Sequence, residues 1–224
     1  MTDSIFFGAV ISVVGYLIGI FLRKKISVLN PLLVSIIFVI AVIKIFHIDY
    51  ETYNSGAKYI SYLLTPATVC LAIPLYRQIS VLKEHAKEVF IGILAGVLAS
   101  MGSILLMSYL FGLTHEQYVT LLPKSITTAI GMGVSEELGG IQTITVAVII
   151  ITGVLGNIIA EAVLKIFRIK EPVAKGLAIG TASHAIGTTK ALEIGEIEGA
   201  MSSLSVAVAG LMTVISASIF ANMM

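Results

Sequence analysis

Residues 127–141 read TTAIGMGVSEELGGI, and residues 183–197 read SHAIGTTKALEIGEI. The two stretches start 56 residues apart and share one pattern. Ala129, Ile130, Gly131, Glu137, Gly139 and Ile141 recur as Ala185, Ile186, Gly187, Glu193, Gly195 and Ile197, and the hydroxyl of Thr127 recurs as that of Ser183. Both are rich in Gly, Ser, Thr and charge, yet both lie among long apolar runs. Paired, broken, polar segments in an apolar chain are how many secondary transporters build a substrate site at membrane depth. The duplication therefore bears on architecture and on function.

The chain of 224 residues is 57% hydrophobic and 12% charged, whereas a soluble domain carries about 25% charge. Such a composition belongs in a lipid bilayer. A net charge of +1, without a basic patch interleaved with aromatics, speaks against nucleic acid as a partner. The single cysteine, Cys70, allows no internal disulfide and fits no metal site; its setting, ATVCLAI, reads as a packed thiol. The first apolar run begins at Ser4, with no basic stretch before it and no A-x-A-like site after it, which reads as a retained span rather than a signal peptide.

A crossing needs about 20 mostly apolar residues. Six runs qualify: Ser4–Leu22, Asn30–Ile45, Tyr59–Tyr76, Val89–Leu113, Gly139–Leu164 and Gly199–Met224. Between them, Ser125–Ser135 and Gly176–Thr189 are too short to cross as regular helices. Basic residues favour the cytoplasmic side. Arg23, Lys24, Lys25, Arg77, Lys83, Lys87, Lys165, Arg168, Lys170 and Lys175 share one face only if 125–138 dips in and returns. The opposite face then keeps Lys44, Lys58 and Lys124. Segment 125–138 would enter from outside and 176–192 from the cytoplasm, inverted relative to each other; a broken full crossing is the alternative. The fold expected is a single all-α polytopic membrane domain over 1–224, with six long transmembrane helices and two re-entrant or broken segments forming an inverted repeat. A weaker third copy, TPATVCLAIPLYRQ at 65–78, holds Pro66 and Pro74 with Thr65 and Thr68. Proline kinks or breaks a helix, so this span reads either as discontinuous support for the site or as a kinked packing helix.

Within the copies, Thr127, Thr128, Ser183, Thr188 and Thr189 supply hydroxyls, and Gly131 and Gly187 let backbone approach a ligand. A half-helix beginning inside the membrane turns free N–H groups and a positive dipole end toward its neighbourhood, which suits a small carboxylate. Small residues also serve tight helix packing; the matched offsets favour a binding site. His184 and Lys190 are ionisable groups at membrane depth, a functional hypothesis by default. His184 suits anion binding or proton relay, or else a structural hydrogen bond. Lys190 attracts an anion or snorkels to the surface. The paired Glu137 and Glu193 could hold a coupling proton or sodium ion, or pair with a cation such as Lys190. Glu161 stands four residues before Lys165, as in a membrane-edge ion pair. His85 and His115 read as solvated. No nucleophile–base pair, phosphate loop or metal-spaced cluster is present, so neither an enzyme nor a metal or organic cofactor is expected.

Three runs, TPATVCLAIPLY (65–76), LLPKSITTAIGMGVSEELGG (121–140) and AKGLAIGTASHAIGTTKALEIGEIEGAMSSLS (174–205), resemble the LrgB/CidB family along essentially the whole chain. The SEELGG and SHAIGTTKALE wording is closer to the CidB-type, holin-like branch. The resemblance implies a multi-pass bacterial inner-membrane protein with a small LrgA/CidA-type membrane partner, and a link to murein hydrolase activity, autolysis and cell death. Related proteins move small carboxylates. It supplies no functional residues, so the site residues named above rest on physical reasoning. Three readings follow: a carrier of small monocarboxylates (pyruvate, lactate, acetate or glycolate class), an oligomeric lesion-forming channel controlling murein hydrolase export, and a non-transporting regulator of the small partner.

Overall fold

The computed structural model describes residues 6–26, 29–63, 66, 69–70 and 72–224, and all regular structure among them is helical. The chain divides into two compact units, Met1–Cys70 and Leu71–Met224.

In the first unit, α1 (Phe7–Lys25) packs on α2 (Pro31–Ile45) and α3 (Tyr50–Ser61). Asn30 starts α2 by accepting from the Leu32 and Leu33 amides at 2.9 and 3.3 Å, with Pro31 in the first turn, where its missing N–H costs nothing. Gly8, Gly15 and Gly19 are the buried stripe of α1, meeting Tyr53, Ser35 and Pro31. Cys70 is exposed, so the packed thiol expected from its apolar neighbours is not what the fold makes. Thr65 and Thr68 lie outside the described residues. Pro66 is exposed, and Pro74 falls in a short helix of the second unit. The expected span Tyr59–Tyr76 lies partly outside the described residues; α3 ends at Ser61, Pro66, Val69 and Cys70 are helical, and so is Ala72–Arg77.

The second unit holds α4 (Ala72–Arg77), α5 (Ile79–Glu84), α6 (Ala86–Phe111), α7 (His115–Leu121), α8 (Thr128–Glu137), α9 (Gln142–Ile166), α10 (Pro172–Ile194) and α11 (Glu196–Ala221). Across the described residues, α1, α6, α9 and α11 are long and apolar enough to cross a membrane, and α2 is a shorter apolar helix. Gly112, left-handed at φ 62°, ends α6, and a Thr114–Gln117 capping box opens α7.

Two chain reversals organise this unit. At His184 (φ 42°, ψ −147°) α10 breaks, and its two arms fold back on each other. A Cβ on Gly180 would sit 2.4 Å from the Ser202 carbonyl, while Thr188, eight residues on, hydrogen-bonds the Ser202 hydroxyl at 2.8 Å. A straight helix would separate those positions by about 12 Å along its axis. The first arm runs up along α11, pairing Gly176 with Glu198 and Gly180 with Ser202; the second returns along α9, pairing Asn157 with Ile186 and Glu161 with Lys190. The second reversal joins α7 to α8, with Pro123–Ser125 at its turn. Thr120 near the end of α7 bonds the Ile141 amide at 2.8 Å, and the Thr145 hydroxyl lies 2.9 Å from the Thr120 carbonyl and 2.7 Å from Ser135 Oγ. The first hairpin has its ends by the start of α9 and the second by the end of α9, so they point in opposite directions along the unit. The duplicated sequence is the returning arm of each: α8 and the second arm of α10. The inbound arm of the first hairpin is α7 (HEQYVTL), which falls between the apolar runs Val89–Leu113 and Ser125–Ser135. Tyr118 and Val119 are fully buried there, while His115 is exposed as expected, its ring edge-on to Tyr118 at 6.5 Å.

Candidate functional site

The turns of both hairpins lie at mid-height. Ser100, which meets the first turn, is about 21 Å from the start of α6 and about 17 Å from its end at 1.5 Å per residue. Gly153, which seats the His184 ring, is near the middle of α9.

A cleft of 770 Å³ runs between α6 and the first arm of α10. His85, Glu88 and Glu171 line it where those helices begin; Ser100, Ser103, Lys124, Ser125 and Thr181 line it at mid-height. Gly96 makes this approach possible, since a Cβ there would lie 2.5 Å from Thr181 Cγ2. Beyond Ser125 and Thr181 lies a void of 10 Å³, which reaches Thr213. Past it Met101, Tyr118, Leu122 and Ile126 are all at most 2% exposed and close the passage. The cleft is thus open toward one end of the helices and sealed toward the other.

Its closed end carries a cation. The Lys124 ammonium donates to Ser125 Oγ at 3.1 Å and Ser100 Oγ at 3.3 Å, and those hydroxyls are 2.9 Å apart. Among the described residues no carboxylate pairs with it. Thr181 Oγ1, buried in the same wall, has no hydrogen-bond partner. A buried hydroxyl left unpaired costs about 1–3 kcal/mol, and an ammonium away from bulk water is costly without a counter-charge. A small anion bearing a further polar group satisfies both. The first turn of α8 begins three residues after Ser125, and its N-cap Thr127 makes no side-chain capping bond, so amides and a positive dipole end lie beside the same pocket.

The residues singled out in the sequence divide into two sets. Thr127 and Thr128 are half-buried at the start of α8, and Gly131 is buried against Ile149 and the Pro123 carbonyl. Ser183 packs on Gly156, so closely that a Cβ there would be 1.8 Å from its hydroxyl. The His184 ring nitrogen Nε2 sits 2.9 Å from the Ile149 carbonyl, and the side chain is 3% exposed. Gly187 is buried against Ile179 and Ser183. Thr188 donates to the His184 carbonyl or shares its proton with Ser202, and Thr189 and Asn157 both donate to the Ile186 carbonyl. None of these lines the cleft; Thr127, Thr128 and Gly131 belong to the first hairpin, and Ser183, His184, Gly187, Thr188 and Thr189 build the turn that follows Thr181. The positive φ of His184 stores about 1–3 kcal/mol of strain, held by the ring contact and by the flat seat at Gly153.

Lys190 binds Glu161 at 2.5 Å and Glu193 at 3.2 Å, so it does not face the cleft. Glu161 therefore reaches across to α10, not to Lys165 on its own helix. Glu137 is exposed at the end of α8, and Glu193 is exposed toward the opposite end of the unit. Because the hairpins are inverted, the matched glutamates do not meet. The largest difference concerns Lys124: the positive-inside count puts it on the outer face, and it stands at the closed end of the cleft. The signal was the run PKS directly before the first copy, where a lysine adjoins the polar repeat. Ser100 carries no signal beyond being a hydroxyl in an apolar run, whereas Thr181 stands two residues before the second copy, in the run IGTASHAIGT. His85, expected in solvent, lines the mouth.

Comparison with known proteins accords with these motifs. Proteins named "Antiholin-like protein LrgB" from Bacillus mycoides (strain KBAB4), Bacillus cereus (strain B4264) and Bacillus anthracis (strain CDC 684 / NRRL 3495) are each 38% identical over 217 residues, covering 96% of this chain and 94% of theirs. No solved structure matches. Residues 12–223 match the LrgB-like family, a match to the family as a whole rather than to its CidB-type or LrgB-type branch. With the duplicated motif, the helical fold and near-complete coverage in agreement, the chain belongs to the LrgB-like family.

Proposed function

We propose that this chain carries small monocarboxylates, of the pyruvate, lactate, acetate or glycolate class, across a bacterial inner membrane. The observation that supports it most is the Lys124 ammonium, without a carboxylate partner, at the closed end of a one-sided cleft. In this reading the six crossings and two re-entrant hairpins form an inverted repeat. The anion enters past His85, Glu88 and Glu171, is held by Lys124, Ser125 and the Thr181 hydroxyl, and is released on the far side when the packing over Met101, Tyr118 and Ile126 opens. His184 and Gly153 act as the pivot of that change.

The antiholin-like names of the relatives support a link to murein hydrolase regulation at the level of the cell, with a small LrgA/CidA-type protein as partner. Small-solute flux is the molecular event beneath that link. A lesion passing folded enzymes needs a wide polar lumen, whereas this cleft ends in a 10 Å³ void. The test is flux in proteoliposomes holding this protein alone, loaded with labelled pyruvate and a kilodalton-scale dye. Saturable pyruvate movement with dye retained is expected. Dye loss establishes the lesion instead, and movement of neither without the small partner, with flux restored by it, assigns this chain a regulatory share.

A further inference from the structure

Two cavities on the other side of α10 adjoin each other, with Leu164 and Ile169 in the walls of both. The first, 530 Å³, surrounds the turn between α9 and α10 and is walled by Lys165, Arg168, Lys170 and Lys175. Lys175 is engaged with Glu198 at 3.5 Å, and Glu161, the acid in this wall, is engaged with Lys190. Lys165, Arg168 and Lys170 have no carboxylate partner among the described residues. The second cavity, 210 Å³, is an apolar groove between α9 and the first arm of α10, from Leu164 to Gly156, with Ser183 as its polar residue. That stretch of α9 spans about 12 Å. Ile166 and Phe167, at the same turn as the cations, are 73% and 72% exposed.

Arg168 adds an independent observation. Its φ of 56° is left-handed, and the Ile169 amide donates to the Leu164 carbonyl at 2.9 Å across it. That closing position of a helix is ordinarily glycine. An arginine held there in an unfavourable backbone conformation points to work for its guanidinium.

We propose that this paired cavity binds an anionic phospholipid, its phosphate among Lys165, Arg168 and Lys170 and the start of one acyl chain along Val163 and Ile159. Cationic pockets between helix ends recognise such headgroups. A free phosphate shares the charge chemistry but leaves the apolar groove without an occupant, and the groove is what selects a lipid.

The test uses native mass spectrometry of the whole delipidated protein offered phosphatidylglycerol, phosphatidylcholine or inorganic phosphate. Phosphatidylglycerol should be retained at least ten-fold better than phosphatidylcholine. The triple variant Lys165→Gln, Arg168→Gln, Lys170→Gln should lose that preference. Val163→Trp, which fills the groove, should lower lipid retention and leave inorganic phosphate unaffected. Arg168→Gly separates a lipid role from a structural one, because glycine suits the backbone better. Its melting temperature should hold or rise while phosphatidylglycerol retention falls. Retention unchanged in the triple variant or in Arg168→Gly overturns the proposal. Inorganic phosphate displacing the lipid at equal concentration, with Val163→Trp silent, overturns it in favour of a free-anion site.

Discussion

Replacing Lys124 with glutamine tests the proposed site directly. Glutamine keeps length and hydrogen-bonding capacity but removes the charge. The Ser100–Ser125 hydrogen bond at 2.9 Å does not involve the ammonium, so the hairpin turn keeps its local support. A unit-charge pair about 4 Å apart gains about 4 kcal/mol at an effective dielectric of 20, and desolvation of the anion offsets part of this. A hydrogen bond to a charged group contributes about 1.5–3 kcal/mol net. Taking about 2–3 kcal/mol, the half-saturating concentration of a carboxylate should rise about 30- to 150-fold, at about tenfold per 1.4 kcal/mol. Initial uptake rates of labelled pyruvate into proteoliposomes, over a range of concentrations, read this out. Lys124→Arg should recover part of the affinity, since charge is kept while the fit to the two serines changes. Thermal unfolding of the glutamine variant should come no earlier than that of the parent, since the charge removed has no counter-charge. Half-saturation within twofold of the parent, in a variant that folds and inserts normally, refutes the assignment of the cleft as the anion site.

Three further outcomes follow from the packing. Thr181→Val removes a buried hydroxyl that has no partner, so the fold should gain about 1 kcal/mol while carboxylate uptake falls; thermal unfolding and uptake measured on one preparation check the opposite signs. Gly156→Ala puts a methyl 1.8 Å from Ser183 Oγ and should destabilise by about 1–3 kcal/mol, with partial recovery in the double variant carrying Ser183→Ala. Thr145→Val unties α9 from Thr120 and Ser135 in a fully buried network; a loss of about 1–3 kcal/mol should appear as earlier unfolding, with faster amide exchange at Ile141.

The corrections have a common cause. Lys124, Thr181 and the arm His115–Leu121 give no sign of their setting in the sequence, because each is polar by type and is enclosed, wholly or in part, by its neighbours. The sequence shows the type; burial is a property of what packs around it. Tyr118 and Val119 sit in a segment outside the apolar runs, yet α6 and α11 enclose it. Conversely Cys70 lies in an apolar run and is exposed, because apolar wording in a membrane chain does not distinguish a lipid-facing from a protein-facing side.

What the amino-acid sequence determined by itself is the part governed by local composition and period. Long apolar runs demand helices because no water satisfies backbone groups in lipid. The duplication at 127–141 and 183–197 marks two interrupted segments, and the positive-inside count sets them in opposite senses. Their wording also carries the family. Only the tertiary structure decided where each chain reversal falls. His184 is neither glycine nor proline, and it breaks α10 because Gly153, Gly156 and the Ile149 carbonyl form a seat that holds it there. Only the tertiary structure brought Lys124 to Ser100, 24 residues away, and set Thr181 beside them. Those contacts join residues distant in the chain, and helix packing supplies them where local pattern cannot.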